Sequence, residues 1–256
     1  MRYFLTILAL LFALNVEAAT YWVRPTGTMA GCTASDTAPA ADSGYKSAIP
    51  SGITCLTSGD TLQIRTGTYD FAIFGAGGIP SGTSWTNLTT IKAFSGDPAL
   101  SVIWRRPTGT EFSQLLYLFE DSPGAGFRYV SFEGFDFNAN GSAFDVIKVD
   151  SFFGADHIQF LNNDIHNSNT MGIIGGNFLR VINNSIHNTG LVDDTFNHAI
   201  YVSGDDNLYE GNEIFNNKNT LAIKIQVNNA SPSRNIVRFN LVHDNVVGIN
   251  SAEVGA

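Results

Sequence analysis

Four segments of the chain repeat one phrase: Leu161-Asn-Asn-Asp-Ile-His-Asn167, Ile182-Asn-Asn-Ser-Ile-His-Asn188, Glu210-Gly-Asn-Glu-Ile-Phe-Asn216 and Arg238-Phe-Asn-Leu-Val-His-Asp244. Aligned on the central Asn, the phrase falls at Asn163, Asn184, Asn212 and Asn240, and a weaker copy, Glu133-Gly-Phe-Asp-Phe137, centres on Phe135. Successive copies lie 28, 21, 28 and 28 residues apart. A period of this size, built from short apolar runs, is that of stacked β-coils. One such unit has too little apolar surface for a core of its own and must bury it against its neighbours. An Asn recurring at one corner stands about 4.8 Å from its counterpart in the next coil, near enough for the amides to hydrogen-bond in a ladder. Asn residues marking unrelated turns would not hold one register through four copies. The expected fold is therefore all-β: a single-stranded right-handed parallel β-helix.

The amino terminus reads as a secretory signal over residues 1–18: Met1-Arg2, an apolar run from Tyr3 to Leu14, and the small-residue site Val16-Glu-Ala18. That run is too short to span a bilayer, and no later segment approaches the ~20 apolar residues needed. The expectation is a secreted, periplasmic or cell-surface protein with no transmembrane segment. Only two cysteines occur, Cys32 and Cys55, and export makes a disulfide between them the expected state. The formal charge of −9 argues against a nucleic-acid partner, which binds through clustered cations. It also disfavours long-range attraction of acidic polymers, although local charge can override net charge.

Residues 19–58 read as an entry strand and an irregular cap, and residues 59–256 as the β-helix. Gly59-Asp-Thr-Leu-Gln-Ile-Arg-Thr-Gly-Thr-Tyr69 alternates apolar Leu62 and Ile64 with polar neighbours before a Gly turn, as a half-buried strand does. Thr90-Ile-Lys-Ala-Phe-Ser-Gly-Asp-Pro98 reads as a strand leaving into a turn, and 75–87 as a surface loop. No amphipathic helix is expected outside the leader. The sequence stops at Ala256 just after a strand-like segment. An open β-helix end exposes backbone groups and core, so the expectation is a carboxy-terminal continuation, or a partner subunit, covering it.

Tyr21-Trp-Val-Arg-Pro-Thr-Gly27, the Gly59–Tyr69 run, and Ser81-Gly-Thr83 followed by Thr90–Pro98 together resemble the amino-terminal pattern of exported polysaccharide-lyase-like β-helix proteins. That superfamily includes pectate lyases, alginate lyases and chondroitinase B. With the Asn phrases, the resemblance covers most of the chain after the leader, and it implies a polysaccharide partner. It specifies fold more than activity, because such helices host lyases, hydrolases, epimerases and adhesins. Many relatives carry an amphipathic capping helix before the Gly-Asp-Thr signature, whereas Pro50 and Gly52 interrupt that stretch here. The chain has no Asp-Pro-His-Asp run of uronan epimerases and no Arg-Ile-Lys run of polygalacturonases, so no catalytic residue is carried over.

Candidate chemistry follows from strand alternation. Ile147, Ile173, Ile200, Ile223 and Ile249 align as an inward row, so Lys148, Ile174, Tyr201, Lys224 and Asn250 face outward. Two residues further on, Asp150, Gly176, Ser203, Gln226 and Ala252 share that face. Tyr201 and Lys224 occupy one register on successive coils, their bases about 4.8 Å apart. β-Elimination from a uronic acid needs a base for the C5 proton, charge stabilisation for the enolate and an acid for the leaving oxygen. Lys224 is the candidate base, Tyr201 or His198 the candidate acid, and Lys148, Ser203, Gln226 and Asn250 candidate substrate contacts. Asp193, Asp194, Asp205 and Asp206 are candidate Ca²⁺ ligands, or paired carboxylates of a glycoside hydrolase. As solvated residues of an ordinary sheet face, these side chains would instead serve a non-catalytic carbohydrate-binding or adhesin-like module. His166, His187 and His243 share one repeat position and read as a structural stack, whereas His198 ends an inserted acidic loop and leaves that register.

Overall fold

A computed structural model of the protein describes residues 18–109, 114–192, 197–218, 221–226 and 234–252. The expected leader, except Ala18, and the Asp193-Asp194 pair lie outside the described residues. The chain winds through three sheets in turn. Among the described residues, sheet 1 has eight strands, from Thr20–Val23 to Ile236–Arg238; sheet 2 has seven, from Gly67–Asp70 to Leu241–His243; sheet 3 has seven, from Ile73–Phe74 to Val247–Ala252. Every pairing between these strands is parallel, and each joins a strand to the one a full coil away. One coil shows the pattern: Ala155–Leu161 in sheet 1, Asp164–His166 in sheet 2, Ile173–Gly175 in sheet 3, then Arg180–Ile182 back in sheet 1.

The repeated phrase builds one corner of each coil. Its first small or polar residue turns the chain in the left-handed region: Gly134 at φ 78°, Asn162 at 56°, Asn183 at 54° and Gly211 at 67°. Gly and Asn tolerate that conformation best. The next residue is the ladder Asn. Asn184 Oδ1 accepts the backbone N–H of Asn163 at 2.8 Å, and the Asn184 amide donates to the Phe160 carbonyl at 3.0 Å. Phe135 N–H donates to Asn163, Asn184 N–H to Asn212, and Asn212 N–H to Asn240, all at 2.9 Å. Three strand residues follow, and the phrase closes on a second left-handed residue: Asn167, Asn188, Asn216 or Asp244, with φ between 51° and 63°.

Two further ladders stand at the other corners. Asn207 accepts the Leu179 N–H at 2.7 Å and donates its own N–H to Asn235 at 2.9 Å. Asn217 accepts the Thr189 N–H at 3.0 Å and donates its own to Asn245 at 3.2 Å. The ladder at each corner satisfies buried backbone groups that a sharp turn would otherwise leave unpaired.

Inside, the rows stack in register. Leu116, Ile147, Ile173, Ile200 and Ile223 line sheet 3, Phe132, Phe160, Val181 and Tyr209 line sheet 1, and Trp104, Phe137, Ile165, Ile186 and Ile214 line sheet 2. All are fully buried. The predicted histidine row is a ring stack on the outer face of sheet 2: His166 on His187 at 4.9 Å, His187 on Phe215 at 4.9 Å, and Phe215 on His243 at 5.3 Å.

The motifs that carried the resemblance are staples of the first coils. Asp60 of the Gly-Asp-Thr run is buried, and its carboxylate accepts the N–H groups of Ala19 at 2.8 Å and Thr57 at 2.7 Å. Asp97 of the Gly-Asp-Pro turn holds Arg65 through two bonds of 2.7 Å. Cys32 and Cys55 form a disulfide with Cα atoms 5.4 Å apart. The cap differs from the sequence expectation in one respect. A short helix, Ile49–Ile53, packs Ile49 and Ile53 onto the end of the stack. Pro50 sits in its first turn, where the missing N–H has no helical partner to lose, so proline starts this helix instead of breaking it. Gly52 is required by close approach, because a Cβ there would stand 2.5 Å from Val23 Cγ2.

Candidate functional site

Sheet 3 carries the predicted outward row, and the pairing bears out its register: Lys148 beside Ile174, Ile174 beside Tyr201, Tyr201 beside Lys224, and Lys224 beside Asn250. The row extends further towards the amino terminus than the sequence reading took it, through Tyr117 to Phe74. The same-face partners two residues on include Asp150 and the exposed Ser203. For Gln226 and Asn250 the strand backbone alone is described, and it places both on this sheet.

The structure divides the candidates into two groups. Lys148 and Lys224 are separated by three strand steps, about 14 Å, and cannot serve one reacting carbon. Around Lys224 stand Tyr201, its register partner, and His198, whose ring stacks on Tyr201 with centroids 5.3 Å apart and planes 11° apart. His198 is only 2 % exposed. Burial first, and the charge of Lys224 second, push its pKa down to about 4. At neutral pH the imidazole is uncharged, and its Nδ1 has no hydrogen-bond partner among the described residues.

Around Lys148 the arrangement is tighter. Its ammonium lies 3.4 Å from Asp150 Oδ2, 3.4 Å from the Tyr117 hydroxyl and 4.4 Å from the Tyr117 ring centroid. The Tyr117 hydroxyl donates to Asp150 at 2.8 Å. Partial burial works against the Lys148 charge, but the phenol and carboxylate outweigh it and hold the pKa above the usual lysine value. Burial, reinforced by the bond to Asp150, raises the Tyr117 pKa as well. Lys148 is thus a fixed cation and Tyr117 a persistent phenol. Neither is poised as a base.

Asp206 sits at the sheet 3 to sheet 1 corner in a left-handed conformation, φ 58°, one of a row that includes Tyr129, His157, Phe178 and Arg234. Both of its carboxylate oxygens are held by the Arg234 guanidinium at 2.5 Å, which draws its pKa down. Asp205 donates its backbone N–H to Asn177 at 2.8 Å. Among the described residues no three His, Cys, Asp or Glu side chains gather as a metal site. Calcium at this turn would have to displace a two-point ion pair before collecting its six to eight oxygens.

The sequence reading missed Tyr117, Phe74, Phe119, Phe152 and Phe153. Their coils precede the first clear Asn phrase, so they had no anchor for alignment. Counting back from Lys148 through the parallel register would have found the first two.

Three parallel sheets wound through Asn-laddered corners define a right-handed parallel β-helix. In solved structures it resembles an alginate lyase from Paenibacillus sp. str. FPU-7, with 19 % identity and a TM-score of 0.50 over 77 % of this chain and 72 % of that one. It also resembles pectate lyase Pel9A, with 15 % identity and a TM-score of 0.50 over 80 % of this chain. The match spans 52 %, about half, of the pectate lyase. No family model matches the chain. No curated protein matches it either.

Proposed function

We propose that the protein is an exported polysaccharide-binding β-helix that cleaves an acidic polysaccharide by β-elimination, with Tyr201 and Lys224 at the reacting centre. The observation that carries this reading is the register pairing of Tyr201 with Lys224 on the outer face of sheet 3, in a fold shared with two polysaccharide lyases. The Lys224 Nζ lone pair takes the C5 proton of a uronate. The C5–H electron pair becomes the C4–C5 double bond, the C4–O bond breaks, and the Tyr201 phenol protonates the departing oxygen. His198, neutral at pH 7, seats the Tyr201 ring and leaves Lys224 without a second cation beside it. Lys148 and Ser203 line the path of the polymer along the sheet, and the strands that carry Gln226 and Asn250 continue it. The disulfide fits an oxidising compartment outside the cytoplasm.

The second reading is a carbohydrate-binding module without chemistry. It draws on the commitment of Lys148 to Asp150 and of Asp206 to Arg234, which spends charges an active site would use. Absorbance of unsaturated uronates separates the two, with alginate, pectate and glycosaminoglycans offered in turn, with and without Ca²⁺. A rise that vanishes in Lys224→Ala and falls steeply in Tyr201→Phe, at unchanged thermal stability, supports elimination. A folded protein that produces no rise on any polymer defeats it in favour of the binding module.

A further inference from the structure

Upstream of the Tyr201–Lys224 pair, the outer face of sheet 3 changes character. Phe74 and Tyr117 are register partners, 5.4 Å apart between ring centroids. Phe119 lies 4.8 Å from Phe74 and 4.9 Å from Tyr117, and Phe153 lies 6.4 Å from Phe119. Phe152, in the short turn Ser151–Phe153, completes the cluster 5.0 Å from Phe153. These rings are not core. Phe74 is 48 % exposed, Phe153 50 % and Phe152 88 %. A soluble fold has no internal reason to present several contiguous phenylalanines to water, and such patches mark binding surfaces.

The polar surroundings say what would bind. The Tyr117–Asp150–Lys148 group borders the rings and offers a phenol, a carboxylate and an ammonium within 3.4 Å of one another. Its charges cancel, so it does not select an anion; it offers donors and acceptors beside apolar ring faces. A sugar presents the complementary surface, with C–H groups on its faces and hydroxyls around its edge. A second protein copy would have to cover the Lys148–Asp150 pair without replacing its water, whereas sugar hydroxyls can take the place of that water. The patch is also continuous with the candidate groove. Tyr117 stands three strand steps from Tyr201, about 14 Å along the axis, on the same row.

We infer that Phe74, Phe119, Phe152 and Phe153, with the Tyr117–Asp150–Lys148 group, form a remote subsite that holds sugar residues of a polysaccharide whose reacting bond lies at Tyr201–Lys224. This rests on the proposed function for the location of the reacting bond; the sugar-binding surface itself does not. The subsite makes the protein a reader of long chains. Polymers that span both regions bind tightly, and short oligosaccharides seated at the reacting pair alone gain nothing from it.

The test uses the full chain and a Phe74→Ala/Phe152→Ala/Phe153→Ala variant, all three positions being exposed. Affinity electrophoresis in gels containing alginate, pectate or a neutral polymer measures binding, sedimentation measures self-association, and uronate absorbance measures turnover. The expected result is about a tenfold loss of polymer affinity, with KM raised, kcat on saturating polymer unchanged and the wild type monomeric. Equal retardation of variant and wild type, or no retardation of either, overturns the subsite. A wild-type dimer that the substitutions dissociate assigns the patch to a second copy and also overturns it. Phenylalanine-dependent retardation without any unsaturated product keeps the subsite and removes the lyase reading instead. If the triple variant melts early, Phe152→Ala alone, in the most exposed ring, must still reduce retardation or the assignment fails.

Discussion

Replacing Asn184 by alanine tests the account of the corners most directly. Asn184 is 1 % exposed and is bonded on both sides of its coil. Its Oδ1 accepts from the Asn163 backbone and side chain at 2.8 and 3.0 Å, and its Nδ2 donates to the carbonyls of Phe160 and Ile182 and to Asn212 Oδ1 at 3.0 to 3.1 Å. Alanine removes all of these and leaves the Asn163 N–H buried without a partner. That orphaned group costs about 1–3 kcal/mol, and the lost bonds to Phe160, Ile182 and Asn212 add about as much again, so the substitution should destabilise the protein by about 2–6 kcal/mol. Water entering the vacated space would place the result near the lower end. That is a large share of the ~5–15 kcal/mol a typical domain possesses. The neighbouring Asn183, φ 54°, serves as the control. Asn183→Gly keeps the turn at no steric cost and should change stability by less than about 1 kcal/mol. Urea denaturation followed by circular dichroism and by amide exchange at Asn163 measures both. If Asn184→Ala costs under about 1 kcal/mol, or no more than Asn183→Gly, the ladder is decoration and the reasoning fails.

The remaining predictions are simpler. Tyr209 is wholly buried and its hydroxyl has no hydrogen-bond partner among the described residues, so Tyr209→Phe should raise stability by about 1 kcal/mol in thermal melts. Burial opposes the charge on His166, but the 2.7 Å bond to Asp136 outweighs it and the folded pKa lies above the ordinary value of 6.5. The stabilisation from this pair is therefore full below pH 6.5 and is lost as pH rises through the folded pKa, so His166→Gln should cost most in acid and least in alkali across a pH series of denaturation curves. Removing the disulfide with Cys32→Ser and Cys55→Ser, which are separated by 23 residues, should cost about 3 kcal/mol. Limited proteolysis should then cut the cap first.

Much of the fold was legible because one phrase encodes a whole corner. Two left-handed residues bracket a ladder Asn and a three-residue strand, so Asn162 to Asn167 reads as a complete instruction. The other ladders, through Asn207 with Asn235 and Asn217 with Asn245, repeat the same 28-residue offset but lack a surrounding phrase, and passed unnoticed. The pairing of Asp206 with Arg234 sits at that offset too, and so does that of Glu210 with Arg238. In a solenoid, residues one period apart are neighbours in space, so those ion pairs could have been read directly. Tyr201 and Lys224, 23 residues apart, could be paired only once the strands were aligned. The burial of His198 and the helix at Ile49–Ile53 depend on how inserted or unrepeated segments pack, and no period reports that.

The coil from Asn163 to Asn184 is 21 residues long where its neighbours are 28, yet the bond between the two asparagines matches theirs. The ladder therefore fixes where a coil begins and ends and is indifferent to how much chain lies between. The difference falls largely in the connection entering sheet 3, which runs over 167–172 in the short coil and 188–197 in the next. Those connections lead into the strands of the sheet that carries Tyr201 and Lys224. Chain can consequently be added or removed ahead of that sheet, coil by coil, while the scaffold beneath keeps its datum, and a new specificity can be written there without renegotiating the core.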